Sequence, residues 1–66
     1  MLRNIEAERV RAGMTKKELA EKLNISSRTY TNWLYEETDV PSSKLKAMSA
    51  LFGVTIDYLI GLKKQD

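Results

Sequence analysis

Apolar side chains recur at helical spacing in five short stretches of this 66-residue chain, each bounded by residues that start or stop helices. Leu2, Ile5, Arg9 and Ala12 follow a 3-4-3 spacing with Val10 alongside, which predicts a first helix of about three turns ending near Gly13. Arg9 falls on its inner stripe. Thr15 followed by Glu18 reads as a capping box, in which the threonine oxygen accepts from the N3 amide and the glutamate reaches back to the cap amide. The second helix is predicted to begin at Lys16, with Leu19, Ala20 and Leu23 inward. Asn24, which tolerates a left-handed backbone, marks the turn that follows.

Ile25 is expected to plug that turn, and Ser26 to cap a third helix running to about Tyr35. At ~100° per residue, Tyr30, Trp33 and Leu34 gather on one side, while Arg28, Thr31, Asn32 and Tyr35 gather on the other. One face packs and the other is polar. Glu36 to Val40 read as a loop, and Pro41-Ser42 opens a fourth helix with Leu45, Met48, Leu51 and Phe52 inward, closed by Gly53. Thr55 caps a short fifth helix carrying Ile56, Leu59 and Ile60, which Gly61 ends. The expectation is one all-α domain over residues 1–62, with a charged tail at 63–66 and no internal repeat, low-complexity tract or linker.

The second and third helices, separated by a three-residue break, are too short to fold independently. Their close coupling implies that the third is held at a fixed angle for presentation to a partner. A major groove about 12 Å wide, which admits one helix, makes duplex DNA the leading candidate.

Composition narrows the chemistry. A chain of this length buries only about 60% of the surface its unfolded state exposes, leaving little stability to support an elaborate active site. With neither cysteine nor histidine, there are no disulfides, thiolate nucleophiles, imidazole bases or usual zinc ligands. An enzyme is therefore not expected, nor is a cofactor, a metal or a small-molecule ligand. The longest apolar runs fall far short of the ~20 residues of a membrane span, and M-L-R-N-I-E lacks a signal-peptide pattern, so a cytoplasmic protein is expected. Net charge is only +2, but residues 1–35 hold seven Lys/Arg against four Glu, a balance of +3, while the remainder holds four bases against five acids, a balance of −1. The basic excess lies in the half that carries the paired helices.

The order of five short helices, with M-T-K-K-E-L-A-E-K-L-N-I-S from Met14 to Ser26 and F-G-V-T-I-D-Y-L-I-G from Phe52 to Gly61, resembles the phage repressor and Cro family of helix-turn-helix proteins, the xenobiotic-response-element type. The likeness covers roughly residues 2–62. It implies a compact five-helix, lambda-repressor-like DNA-binding domain, prokaryotic or phage, whose helix-turn-helix spans about 16–35. In such a fold Ala20 sits where the two helices cross, and Leu19, Leu23, Ile25, Tyr30 and Trp33 fill the wedge between them. The i, i+3 spacing of Tyr30 and Trp33 fits packing, and argues against a stacking platform for single strands.

Mapped onto this chain, the resemblance points to Ser27, Arg28, Thr31 and Asn32 as base-contacting residues. Arg28 can pair with guanine O6/N7, and Asn32 with adenine N6/N7. Thr15 and Lys16 lie where free amides and the positive helix end suit a phosphate. Ser26 has the same double role at the third helix, and Arg11, Lys17 and Tyr35 are further phosphate candidates. A homodimer on a pseudo-palindromic operator is implied, its contact surface around Val54, Ile56, Tyr58 and Leu62, with transcriptional repression as the expected outcome.

Two positions depart from the family pattern. Relatives often carry a glutamate after the position of Trp33, paired with the arginine matching Arg9, but this chain has Leu34, so Glu36 or Glu37 is expected to pair with Arg9. The following loop, often basic in relatives, reads E-E-T-D, which argues against contact with phosphate there. A second class stays open: an antitoxin or antirepressor-like interaction module, on the same scaffold, whose helical surface holds another protein.

Overall fold

In the computed structural model, which describes residues 1–61, the chain forms α1 (Arg3–Arg11), α2 (Lys16–Lys22), α3 (Ser27–Leu34), α4 (Ser42–Phe52) and α5 (Ile56–Ile60). No strand occurs among the described residues. The start signals act locally. Thr15 Oγ1 accepts from the Glu18 amide at 3.1 Å while Glu18 Oε1 accepts from the Thr15 amide at 2.8 Å, completing the capping box of α2. Ser26 and Thr55 cap α3 and α5 in the same way, accepting from the amides of Thr29 and Tyr58, each at 3.1 Å.

Four helix ends share one construction, those of α1, α2, α3 and α4, the last at Gly53 with the Val54 amide on the Ser49 carbonyl at 3.2 Å. After α2, Asn24 takes a left-handed φ of 58° and the Ile25 amide returns to the Ala20 carbonyl at 2.9 Å, folding Ile25 back against the core. Gly13 does the same after α1. At the end of α3 the left-handed residue is Glu36, with φ 60°, and the Glu37 amide reaches the Asn32 carbonyl at 2.9 Å. A side chain with a Cβ pays a steric cost there that glycine avoids.

Nine residues form the buried core: Ile5, Leu19, Ala20, Leu23, Tyr30, Trp33, Leu34, Met48 and Leu59. The helices join around it through α1 on α3 and α5, α4 on α5, and α2 on α3. The packing set expected from α2 and α3 is found, with Ile25 half-buried against it.

Two expected inward residues are not. Ala12 is exposed, because α1 ends at Arg11 and Ala12 is already its C-cap. Leu51 is 43% exposed, because α4 turns the side holding Leu45, Met48 and Phe52 inward, and Leu51 lies about 95° from the middle of that side. Conversely, Glu8 is 4% exposed on α1, where periodicity gave no reason to place a carboxylate.

Three polar ties hold the elements together, two of them reaching the paired helices and one joining α1 to α5. The Leu2 amide donates to the Leu34 carbonyl at 2.8 Å, the Asn4 side-chain amide to the Tyr58 carbonyl at 2.6 Å, and the Lys44 ammonium to the Leu23 carbonyl at 2.6 Å. The last places a cation at the negative end of α2.

Candidate nucleic-acid interface

The outward arc of α3 is set by what its other side buries. Tyr30, Trp33 and Leu34 are buried, which turns Ser27, Arg28, Thr31 and Asn32 away from the core across about 140° of the helix. Ser27 and Arg28 are exposed, and Thr31 and Asn32 are partly so. The four expected base-reading residues therefore form one contiguous face. The Thr31 hydroxyl donates to the Ser27 carbonyl at 3.0 Å, which commits its proton and leaves its methyl group for an outside partner. Tyr35, the C-cap residue, is exposed at the far end of the same face.

At the start of α2, the Lys16 and Lys17 amides occupy N1 and N2, where no intrahelical carbonyl can reach them. Both side chains are exposed. Thr15 Oγ1 acts as acceptor in the cap and so keeps its own proton for an incoming oxygen. The Thr15 amide holds the Glu18 carboxyl below the ordinary carboxylate range, so that carboxylate also sits at this helix end. Ser26 is placed differently from Thr15: its hydroxyl donates to Thr29 Oγ1 at 3.0 Å, so it must rotate before it can donate elsewhere. Arg11 is exposed and lies 3.7 Å from Glu8 Oε2, a loose pair that leaves most of its guanidinium free.

The partner of Arg9 is not the one expected. Glu36 binds the α-amino group of Met1 at 3.0 Å, and Glu37 forms no ion pair with Arg9. The acid is Glu6, one turn earlier on α1. Arg9 Nε and Nη2 donate to Glu6 Oε1 and Oε2 at 2.8 and 2.9 Å, and Nη1 donates to the Met14 carbonyl at 2.5 Å. Tyr30, fully buried, donates its hydroxyl to Glu6 Oε1 at 2.8 Å. The Arg9 bond, with help from Tyr30, holds the Glu6 carboxyl below its usual range, while burial and then the bond to Glu6 push the Tyr30 phenol up. Glu36 and Glu37 are near Trp33 in sequence, but neither reaches Arg9. The signal available was the i, i+3 spacing of Glu6 and Arg9 on one helix.

Among the expected interface residues, Val54 and Tyr58 pack in part against the core, and Ile56 is half-buried. Leu62 and the tail at 63–66 lie outside the described residues. Leu51 on α4 is exposed. Among the described residues no group of His, Cys, Asp or Glu could hold a metal ion, and no helix is long and apolar enough to cross a membrane.

The family description for helix-turn-helix matches residues 5–59, which takes in all of α2 and α3. The chain is 37% identical over 59 residues to the HTH-type transcriptional regulator ImmR of Bacillus subtilis (strain 168), covering 89% of this chain and 46% of that protein. It is 35% identical over 49 residues to the uncharacterized HTH-type transcriptional regulator YobD of the same organism, covering 74% of this chain and 44% of that protein. The chain thus spans about half the length of the curated relatives it matches. No solved structure matches it.

Proposed function

The chain belongs to the Cro/C1-type helix-turn-helix family, and we propose that it is the DNA-reading unit of a transcriptional regulator, which lays α3 in the major groove of a duplex operator. The observation that carries this reading is the division of α3 into a buried side, Tyr30, Trp33 and Leu34, and an outward face of Ser27, Arg28, Thr31 and Asn32. Arg28 pairs with guanine and Asn32 with adenine, and the free methyl of Thr31 suits the methyl group of thymine. Thr15, Lys16 and Lys17 seat a phosphate at the start of α2, with Ser26, Arg11 and Tyr35 as further backbone contacts.

One such helix covers few base pairs, so the unit works as a homodimer on two half-sites about 34–36 Å apart. Val54, Ile56, Tyr58 and Leu62 supply the contact. Bound in the cytoplasm to a pseudo-palindromic operator, the dimer represses by excluding polymerase. Selection of bound sequences from random duplex DNA tests the reading: recovery of two inverted half-sites supports it, and recovery of no preferred sequence by a folded protein removes it. The exposed acids Glu36, Glu37 and Asp39 just beyond α3 favour a second reading, an antitoxin or antirepressor-like module that holds another protein. That module would need its partner present before it shifted any duplex.

A further inference from the structure

We propose that Glu6 is a positioning residue for DNA recognition: its carboxylate ties α3 to the turn ahead of α2, and so sets the geometry in which the two helices meet a duplex. The inference rests on the DNA-binding reading above. Neither DNA-facing helix contributes an acid to this tie, since the position after Trp33 is the buried apolar Leu34. The acid comes from α1, and both of its oxygens are used. Oε1 receives the Tyr30 hydroxyl and Arg9 Nε, each at 2.8 Å, and Oε2 receives Arg9 Nη2 at 2.9 Å.

The ends of this relay are the two functional starts. Tyr30 lies on α3 between Arg28 and Asn32, so holding its phenol fixes the rotation of the face those residues form. Arg9 Nη1 holds the Met14 carbonyl at 2.5 Å, one residue before Thr15, the cap from which the Lys16 and Lys17 amides project. A bidentate Arg–carboxylate pair has a fixed planar geometry, unlike a single bond to a lysine, and it passes that geometry to both of its neighbours. Glu6 therefore orients α3 and, through Arg9, the start of α2 against the same support. Loss of the phenol bond frees the rotation of α3 but leaves the phosphate-facing lysines in place.

The test compares the wild-type chain with Tyr30→Phe and Glu6→Gln, at a temperature well below each unfolding midpoint, on the selected duplex and on an unrelated duplex at one salt concentration. Tyr30→Phe keeps the ring that fills the core. Tyr30→Phe should lose about tenfold in affinity for the selected duplex, as expected for one hydrogen bond to a charged group, and change within about twofold on the unrelated one. Glu6→Gln also breaks the bidentate Arg9 pair behind the start of α2, so it should lose at least as much on the selected duplex and a smaller amount, beyond about twofold, on the unrelated one. The double variant should be no weaker than the weaker single variant, because the two residues share one bond. Unchanged preference in folded Tyr30→Phe, or equal losses on both duplexes, overturns the proposal.

If the wild-type chain itself prefers no duplex, the DNA reading fails, and the tie is then judged by amide exchange. Faster exchange in α3 with α4 unchanged, in both variants, retains Glu6 as the support of α3. Unchanged exchange in α3 overturns that as well.

Discussion

The Tyr58 hydroxyl on α5 donates to Oε2 of Glu8 on α1 at 3.0 Å, giving the one buried carboxylate among the described residues a partner fifty positions away in sequence. This bond closes the contact between the first and last helices, reinforced where the Asn4 side chain donates to the Tyr58 carbonyl. Tyr58→Phe keeps the ring but leaves a carboxylate oxygen short of a donor, and an unsatisfied buried acceptor costs more than a bond is worth. The variant should lower the urea midpoint without changing the slope, at protein concentrations where the wild-type chain is monomeric. An effect that appears only when the chain is dimeric would assign Tyr58 to the contact between copies.

The pH dependence of stability should have two descending limbs. Arg9 and Tyr30 hold the Glu6 carboxyl below its usual value, so between the folded value and the unfolded value near ~4.3 the unfolded chain binds the extra proton. Stability from this group is full above that range and is lost as pH falls through the folded value. The phenols act with the opposite sign. The bond to Glu8 raises Tyr58, and burial followed by the bond to Glu6 raises Tyr30, so above ~10 the unfolded chain sheds protons that the folded chain keeps. Urea titrations from acid to alkali should therefore give a plateau that falls at both ends, and Tyr30→Phe should flatten the alkaline limb.

Lys44 should matter more than a half-buried lysine usually does. Its ammonium closes the end of α2 at the Leu23 carbonyl, in a favourable position for the helix dipole. Lys44→Met keeps the apolar stem and removes the donor, and should cost about 1.5–3 kcal/mol in equilibrium unfolding, the range for a hydrogen bond to a charged group. A loss no larger than that of a surface lysine would show that water replaces the bond.

Glu36 is a position where the chain can be improved. Its left-handed backbone strains a residue with a Cβ, so Glu36→Gly should raise stability by about 0.5–1 kcal/mol after the extra flexibility of the unfolded chain is allowed for. The comparison belongs at high salt, where the exposed pair with the Met1 amine is screened.

The elements of this fold are written locally, and so they were legible. Thr15 with Glu18, Ser26 and Thr55 announce three helix starts, because a cap and the amides it satisfies lie within three residues. The outward face of α3 follows from its period alone, since Tyr30, Trp33 and Leu34 decide which side is left over. What could not be read depends on partners distant in sequence. Glu8 is buried because Tyr58 reaches it, and nothing near Glu8 signals that. Arg9 lies inward as its spacing implies, but its acid is Glu6, one turn back on the same helix, rather than a residue across the fold. Glu36 ends α3 in a conformation its side chain does not favour, chosen by the packing of Trp33 and Leu34 rather than by its own preference.

Base reading by α3 is tested most directly by binding of the Arg28→Ala and Lys16→Ala variants to the selected duplex, and to single-base variants of it, over a range of salt. Arg28→Ala should cost ~1–3 kcal/mol on the selected duplex and abolish discrimination at one base position. Lys16→Ala should weaken every duplex alike and reduce the salt slope by about one unit. Equal, sequence-blind losses from both variants would contradict the assignment of α3 as the base-reading helix.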